Sequence, residues 1–414
     1  VFHVTLLLTN ARIFDGVNED CAEGMSVLVE GNHIREISAK PIPSGDAVVI
    51  DVAGKTLMPG LIDLHTHAYT ADVDLTKLEK VGTTYNALHA GRMLRHGLQC
   101  GFTTMRDIGG GDWSLAKALK DKIIEGPRFF YAGKILSMTG GHGDFREMHD
   151  SEHEFGACSC SMVGTMSVIA DGVDECIKAA REELRRGAHC IKIMGSGGVT
   201  SPLDPIWMNQ YRDDEIRAIV RECEERHTYV SSHCHPASGV RRSIEAGVRV
   251  IEHGTLMDAE TAAFVAERGA YVVPTMAIIF ALMEAGPEMG ISPVVMDKLK
   301  VAHKAALEGL DHMRSANVKL GLGTDLLGDL YDQQCREFLL RREVFKPIEI
   351  LRQATSMSAE ILMHEGRLGC VEADAYADLI VVDGDPLEDV GLLAANGQRL
   401  DLIIRDGEII KNRL

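Results

Sequence analysis

Two histidines one residue apart, His65 and His67 in LMPGLIDLHTHAYT, head a set of six side chains able to bind metal. An apolar run (Leu61, Ile62, Leu64) leads into them after a Pro59-Gly60 break. In a strand, residues i and i+2 share a face, so both imidazoles can reach one ion. A lone His-x-His carries little weight; its place at the end of an apolar strand carries more. The later members are Lys192 in CIKIMGSGG, His233 in VSSHCH, His253 in VIEHG and Asp325 in GLGTD. Lys192 lies between Ile191 and Ile193. If those isoleucines face helices, the lysine points to the interior, where an unpaired ammonium is costly. A neutral lysine there could take up carbon dioxide, giving a carbamate whose anionic oxygens can bridge two metal ions.

Residues so far apart in sequence need a scaffold that brings them together. Helical periodicity is clear over 173–187, where Val173, Cys176, Ile177, Ala180 and Leu184 share a face, and over 213–226, with Ile216, Ile219, Val220 and Cys223. Further helices are expected near 238–246, 258–268 and 296–316. Each precedes a strand, and strands near 61–65, 102–106 and 129–134 bring the count to eight. Alternating units of this number predict a parallel (β/α)8 TIM barrel over residues 59–354, with its chemistry at the C-terminal strand ends. The six side chains stand at such ends. Residues 1–58 and 355–414 read instead as short strands with turns, among them Gly31-Asn32, Asp383-Gly384 and Asp406-Gly407. Both ends are expected to pair into one small composite β-sandwich domain.

The composition is that of an ordinary globular chain, 45% hydrophobic and 25% charged over 414 residues. A net charge of −18 argues against nucleic acid or an anionic membrane surface as partner. Ten cysteines follow no regular spacing, so reduced, buried thiols are expected. No apolar run reaches membrane-spanning length and no signal segment is visible, which makes the cytoplasm the default compartment. A small-molecule substrate and a homo-oligomeric assembly complete these expectations.

PGLIDLHTH, the strand lysine, the two later strand-end histidines and GTD together resemble the amidohydrolase superfamily, in its binuclear form with a carboxylated lysine. The flanks VIDVAGKTLMPGLID and YADLIVVDGDPL look like that superfamily's composite β domain. More narrowly, GGHGD, KIMGSGGVTSPLDP, VIEHGTLMDAETA and GLGTDLLG resemble its metal-dependent dipeptidases, the branch of Xaa-Pro dipeptidases (prolidases) and Xaa-Arg/Lys carboxypeptidases. The text around the motifs is nearer the Xaa-Pro group, and relatives in the branch also hydrolyse the amide of ochratoxin. The resemblance implies that His65, His67 and Asp325 hold one ion, His233 and His253 a second, and N6-carboxylated Lys192 bridges them. Nitrogen and oxygen donors without cysteine suit Zn2+, with Mn2+ or Co2+ as alternatives. The pair would share a hydroxide nucleophile, and Asp325 would move its proton to the leaving nitrogen. His142 in GGHGD and His235, two residues beyond His233, would receive the substrate α-carboxylate; relatives often carry Tyr at the second place.

The leading expectation is therefore a binuclear Xaa-Pro dipeptidase. Cleavage before Arg or Lys would need a carboxylate facing the side chain, for which Asp144 and Asp204 are candidates. A cyclic-amide hydrolase such as imidazolonepropionase fits the motifs less well, and a non-catalytic scaffold conflicts with six retained ligands. Cys158-Ser159-Cys160, near His149 and His153, reads as loop over the site more than as a second metal centre. Arg106-Asp107, ending the second strand, reads as a structural ion pair more than as site lining.

Overall fold

Parallel pairing organises the middle of the chain. The computed structural model describes residues 5–78, 81–146, 166–201 and 203–414. Leu61–Thr66, Phe102–Asp107 and Arg128–Tyr131 form one parallel sheet in that order. A second parallel sheet runs Ser167–Ile169, Ile135–Ser137, Ile191–Met194, Val230–Pro236, Val250–Leu256, Tyr271–Val273, Lys319–Leu320. Backbone hydrogen bonds join the two sheets. His189 N–H donates to the Tyr131 carbonyl (2.8 Å), and Leu64 N–H to that of Leu322 (2.8 Å). All eight expected strands are present. Ile135–Ser137 and Ser167–Ile169 are additions, each only three residues long and so below what alternation can reveal.

The expected helices fall within a few residues of their predicted bounds: Val173–Arg185, Asp213–Glu224, Ala237–Glu245, Ala259–Glu267 and Pro293–Ser315. Their starts follow from capping chemistry. Asp258 accepts the Thr261 N–H (2.7 Å), and Ser292 caps a helix whose first residue is Pro293. Met276–Ala285 was not expected. It is apolar around most of its circumference and buries Met276, Ala277, Ile278, Ile279, Ala281 and Leu282, so no polar stripe marks its period.

The two chain ends meet in one eight-stranded sheet. Thr56–Pro59 pairs parallel with Leu6–Ile13 and antiparallel with Leu379–Val382, which continues through Leu400–Arg405 to Glu408–Asn412. Alternate residues (Leu6, Leu8, Val27, Val29, Leu379, Val381) fill its own core. Arg128, from the parallel unit, reaches across to this sheet. It donates to Asp378 Oδ2 (3.1 Å) and Asp406 Oδ1 (2.7 Å) and lies over the Tyr376 ring. The cysteines among the described residues are all free thiols. Among the same residues no helix is long and apolar enough to cross a membrane. Cys158, Cys160, His149 and His153 lie outside the described residues.

Candidate active site

Strand alternation sets the positions of the site side chains. Ile191 and Ile193 pack in the core shared with the helices, so Lys192 points the other way, buried at 1% exposure. Ser231, His233 and His235 likewise follow one face of Val230–Pro236. His253 departs from this rule. Glu252 faces the interior, and strict alternation would send His253 outward. A left-handed φ of +72° at His253 turns its ring back to the cavity. Asp325 also adopts a left-handed φ, +57°, just after the eighth strand. Such geometry costs of the order of 1–3 kcal/mol per residue and is commonly found at functional sites.

One cavity is lined by all eight sequence-predicted residues: His65, His67, His142, Lys192, His233, His235, His253 and Asp325. Donor atoms of His65, His253 and Asp325 lie within 4.8 Å of one another. His65 Nε2 and His67 Nε2 stand 3.3 and 3.2 Å from Asp325 Oδ1. The rings of His233, His235 and His253 are mutual neighbours at 4.6–4.9 Å, and His142 stacks on His233 at 4.5 Å.

Hydrogen bonding on the far side of each ring shows what these atoms want. His65 donates Nδ1–H to Glu252 Oε2 (2.7 Å), and His67 donates Nδ1–H to the Gly109 carbonyl (2.9 Å). Each ring then presents a bare Nε2 lone pair to a carboxylate oxygen. Two imidazole nitrogens facing one carboxylate oxygen, with His253 also close by, are relieved by a cation, so the donor set fits a divalent metal. The electrostatics favour positive charge at the same place. Burial opposes a charge on His67, yet Asp325 outweighs it and raises its pKa. Burial would likewise raise Asp325, but His65 and His67 hold it well below the usual carboxylate range.

The second cluster is driven the other way. Burial first, then the neighbouring imidazoles, keeps His233 and His253 neutral, the form that ligates metal. Burial and His142 bring His235 down to about 3. Burial also lowers the Lys192 pKa, favouring the neutral amine needed for carbamate formation. His253 and His235 are fixed by Thr275 Oγ1 (2.7 Å) and Thr255 Oγ1 (3.1 Å). Gly323 permits close approach, since a Cβ there would lie 2.8 Å from His65 Cβ.

The structure adds residues that sequence reasoning missed. Glu252, fully buried, carries His65, the Arg106 guanidinium (2.5 Å) and the Ser231 hydroxyl. Asp63 accepts from Thr324 Oγ1 (2.6 Å) and Gln334 Nε2 (2.7 Å), bracing the segment that bears Asp325. Arg106 and Asp107 do not pair with each other. Consecutive strand residues point to opposite faces: Arg106 binds Glu252, while Asp107 accepts the N–H groups of Ala68, Gly109 and Gly111. Neither lines the cavity. The two acids considered for a cationic side chain are also engaged elsewhere. Asp144 pairs with Arg146 and Asp204 with His142, and neither lines the cavity. Apart from Thr200 and Thr275 its remaining described walls are apolar, including Phe145, Met166, Val199, Ile278, Ile279 and Leu282.

Comparison with known proteins places this arrangement. Residues 56–410 match the amidohydrolase family. A crystal structure described as an amidohydrolase is 44% identical, with a TM-score of 0.97 over 99% of this chain and 100% of that one. A prolidase crystallised with N-methylphosphonate-L-proline is 40% identical, with a TM-score of 0.94 over the same shares. The ochratoxinase of Aspergillus niger is 31% identical over 353 residues, 81% of this chain and 71% of its own. The chain belongs to the amidohydrolase family, with relatives in its prolidase and ochratoxinase branch.

Proposed function

We propose that this chain is a binuclear metal-dependent dipeptidase that hydrolyses the peptide bond of Xaa-Pro dipeptides. The observation that carries the reading is the composition of this cavity: six ligand-type side chains, two further histidines, and otherwise mostly apolar walls. A compact apolar residue such as proline is compatible with those walls. Among the described residues that line the cavity, an arginine or lysine side chain would meet no carboxylate apart from Asp325. The likeness to a prolidase holding a proline phosphonate supports the same substrate class.

On this reading His65, His67 and Asp325 would hold one ion and His233 and His253 the other, with N6-carboxylated Lys192 as the ligand they would share. Bound divalent ions supply Lewis acidity and an acidified water at neutral pH. Zinc suits the donor set, with manganese or cobalt as substitutes. Asp325 moves a proton from the attacking water to the leaving nitrogen. Glu252 and the Gly109 carbonyl keep the first two imidazoles in the ligating tautomer. His142 and His235 receive the substrate carboxylate. The proposal includes a (β/α)8 barrel over 59–354, flanked by a composite β-sandwich domain of 1–58 with 355–414. It also includes a homo-oligomeric cytoplasmic enzyme acting on small molecules.

A second reading, hydrolysis of an N-acyl amino acid carrying an aromatic acyl group, draws on the ochratoxinase likeness and the apolar walls. A panel of Leu-Xaa dipeptides with an N-aroyl-phenylalanine, assayed with metal-loaded protein, separates the two. Leu-Pro should lead the dipeptides and exceed the aroyl substrate. Turnover of the aroyl substrate alone would move the assignment to the second reading, and preference for Leu-Arg to a carboxypeptidase.

A further inference from the structure

The loop that follows Ile191–Met194 is held by a residue a hundred positions away. Lys298, on the helix Pro293–Ser315, directs its ammonium at three backbone carbonyls of this loop: Gly198 (2.7 Å), Asp204 (2.9 Å) and Ser201. An ammonium has three N–H donors, so these bonds use its full capacity. Val199 and Thr200, inside the held segment, line the cavity, as does Leu299 beside the lysine.

The same loop returns to His142. Asp204 is 2% exposed, and its Oδ2 accepts from His142 Nδ1–H (3.1 Å), Gly198 N–H (2.9 Å) and Gln210 Nε2–H (3.4 Å). Gln210 Oε1 accepts the His142 backbone N–H (2.9 Å). A Cβ at Gly198 would come within 2.2 Å of the His142 ring, so only glycine lets the loop lie against it. The ring also stacks on that of His233. His142 is thus fixed at its backbone, at Nδ1 and against its ring, and the contacts from Asp204 and Gly198 belong to the segment that Lys298 ties down.

We propose that Asp204 and Lys298 are positioning residues for His142: Lys298 closes the loop onto the helix, and Asp204, carried by that loop, sets the orientation of the imidazole. Asp204 then acts on anion binding, not as a partner for a cationic side chain. The inference rests on the proposed dipeptidase function only for the identity of the anion, the substrate carboxylate.

The test compares Asp204→Ala, Asp204→Asn and Lys298→Met with the parent enzyme on Leu-Pro and on Leu-Pro-amide, at matched metal content. For Leu-Pro, Asp204→Ala and Lys298→Met should raise KM about tenfold or more while kcat stays within about twofold, because a binding contact is lost and the reacting groups are not. Asp204→Asn, whose amide oxygen can still accept from Nδ1, should recover part of the loss. The amide, which lacks the anion, should change little in all three variants. Equal losses on both substrates would reduce the two residues to general support of the fold and overturn the proposal, as would unchanged KM. A second measurement needs no turnover. In protein labelled at histidine, the Nδ1–H resonance of His142, identified by its loss in His142→Gln, should shift in Asp204→Ala and in Lys298→Met. An unmoved resonance overturns the proposal. A shifted one in an enzyme that cleaves no peptide leaves the positioning intact and removes the dipeptidase reading instead. Should Asp204→Ala fail to fold, Asp204→Asn and Lys298→Met decide alone.

Discussion

Glu252 is the point at which the His65, His67 and Asp325 cluster is tied to the interior: its two oxygens carry His65 Nδ1–H, the Arg106 guanidinium and the Ser231 hydroxyl. Replacing it by glutamine leaves Arg106 buried without a counter-charge. Loss of one partner of such a pair costs about 3–5 kcal/mol, and loss of an imidazole's outer partner weakens metal binding roughly 10–100-fold. Glu252→Gln should therefore lower both the thermal midpoint and the metal affinity; unchanged affinity by calorimetric titration would contradict the orienting role. Asp325→Asn should keep the fold but lower kcat by roughly 10²–10⁴-fold, since an amide cannot carry the proton. Near-normal turnover at full metal content would remove Asp325 from the mechanism. Six of the cavity residues were legible in the sequence because few residue types ligate metals and each stood at the end of an apolar strand; His142 and His235 were legible only through the family resemblance. Glu252 was not legible. Beside His253 in a strand, it is expected on the opposite face, and only the left-handed backbone at His253 brings both inward.

Repeated strand–helix alternation made the strands and five amphipathic helices readable to within a few residues, while Trp113–Lys120 and Pro347–Ala354 went unassigned. Met276–Ala285 escaped because a uniformly apolar segment has no period to detect, yet it supplies Ile278, Ile279 and Leu282 to the cavity wall. These wall residues were hidden for that reason, while the ligand-type side chains were in plain view. Ile279→Glu would place a carboxylate in that apolar wall. The expected outcome is a fall of about tenfold or more in kcat/KM for Leu-Pro, with metal content unchanged. Measuring Leu-Arg on the same variant checks the origin of the effect. A relative gain for Leu-Arg fits a side-chain wall, and an unaltered Leu-Pro rate would place the helix outside the substrate's reach.

Across the whole molecule, Arg128 joins the parallel strands to the sheet built from both chain ends, a contact no sequence period reveals because its partners are 250 and 278 residues away. Arg128→Met leaves Asp378, 4% exposed, without its counter-charge, and should cost about 3–5 kcal/mol of stability by denaturant unfolding. The pH response follows from Asp406. Burial raises its pKa, but Arg128 outweighs that and the folded value lies below the ordinary one. Its contribution is then complete above the unfolded pKa of about 3.9 and is lost as pH falls through the lower folded value. Asp406→Asn should accordingly lose less stability than the parent between pH 5 and 3, as followed by thermal melts; equal losses would contradict the ion pair. The metal-dependent hydrolase itself is tested most directly by one titration. Apoprotein receives increasing zinc in the presence of bicarbonate, and Leu-Pro hydrolysis is measured at each step. Activity should be absent in the chelated protein and rise until two equivalents per chain are bound. Undiminished hydrolysis by the chelated protein, or none at any zinc loading, would contradict the account.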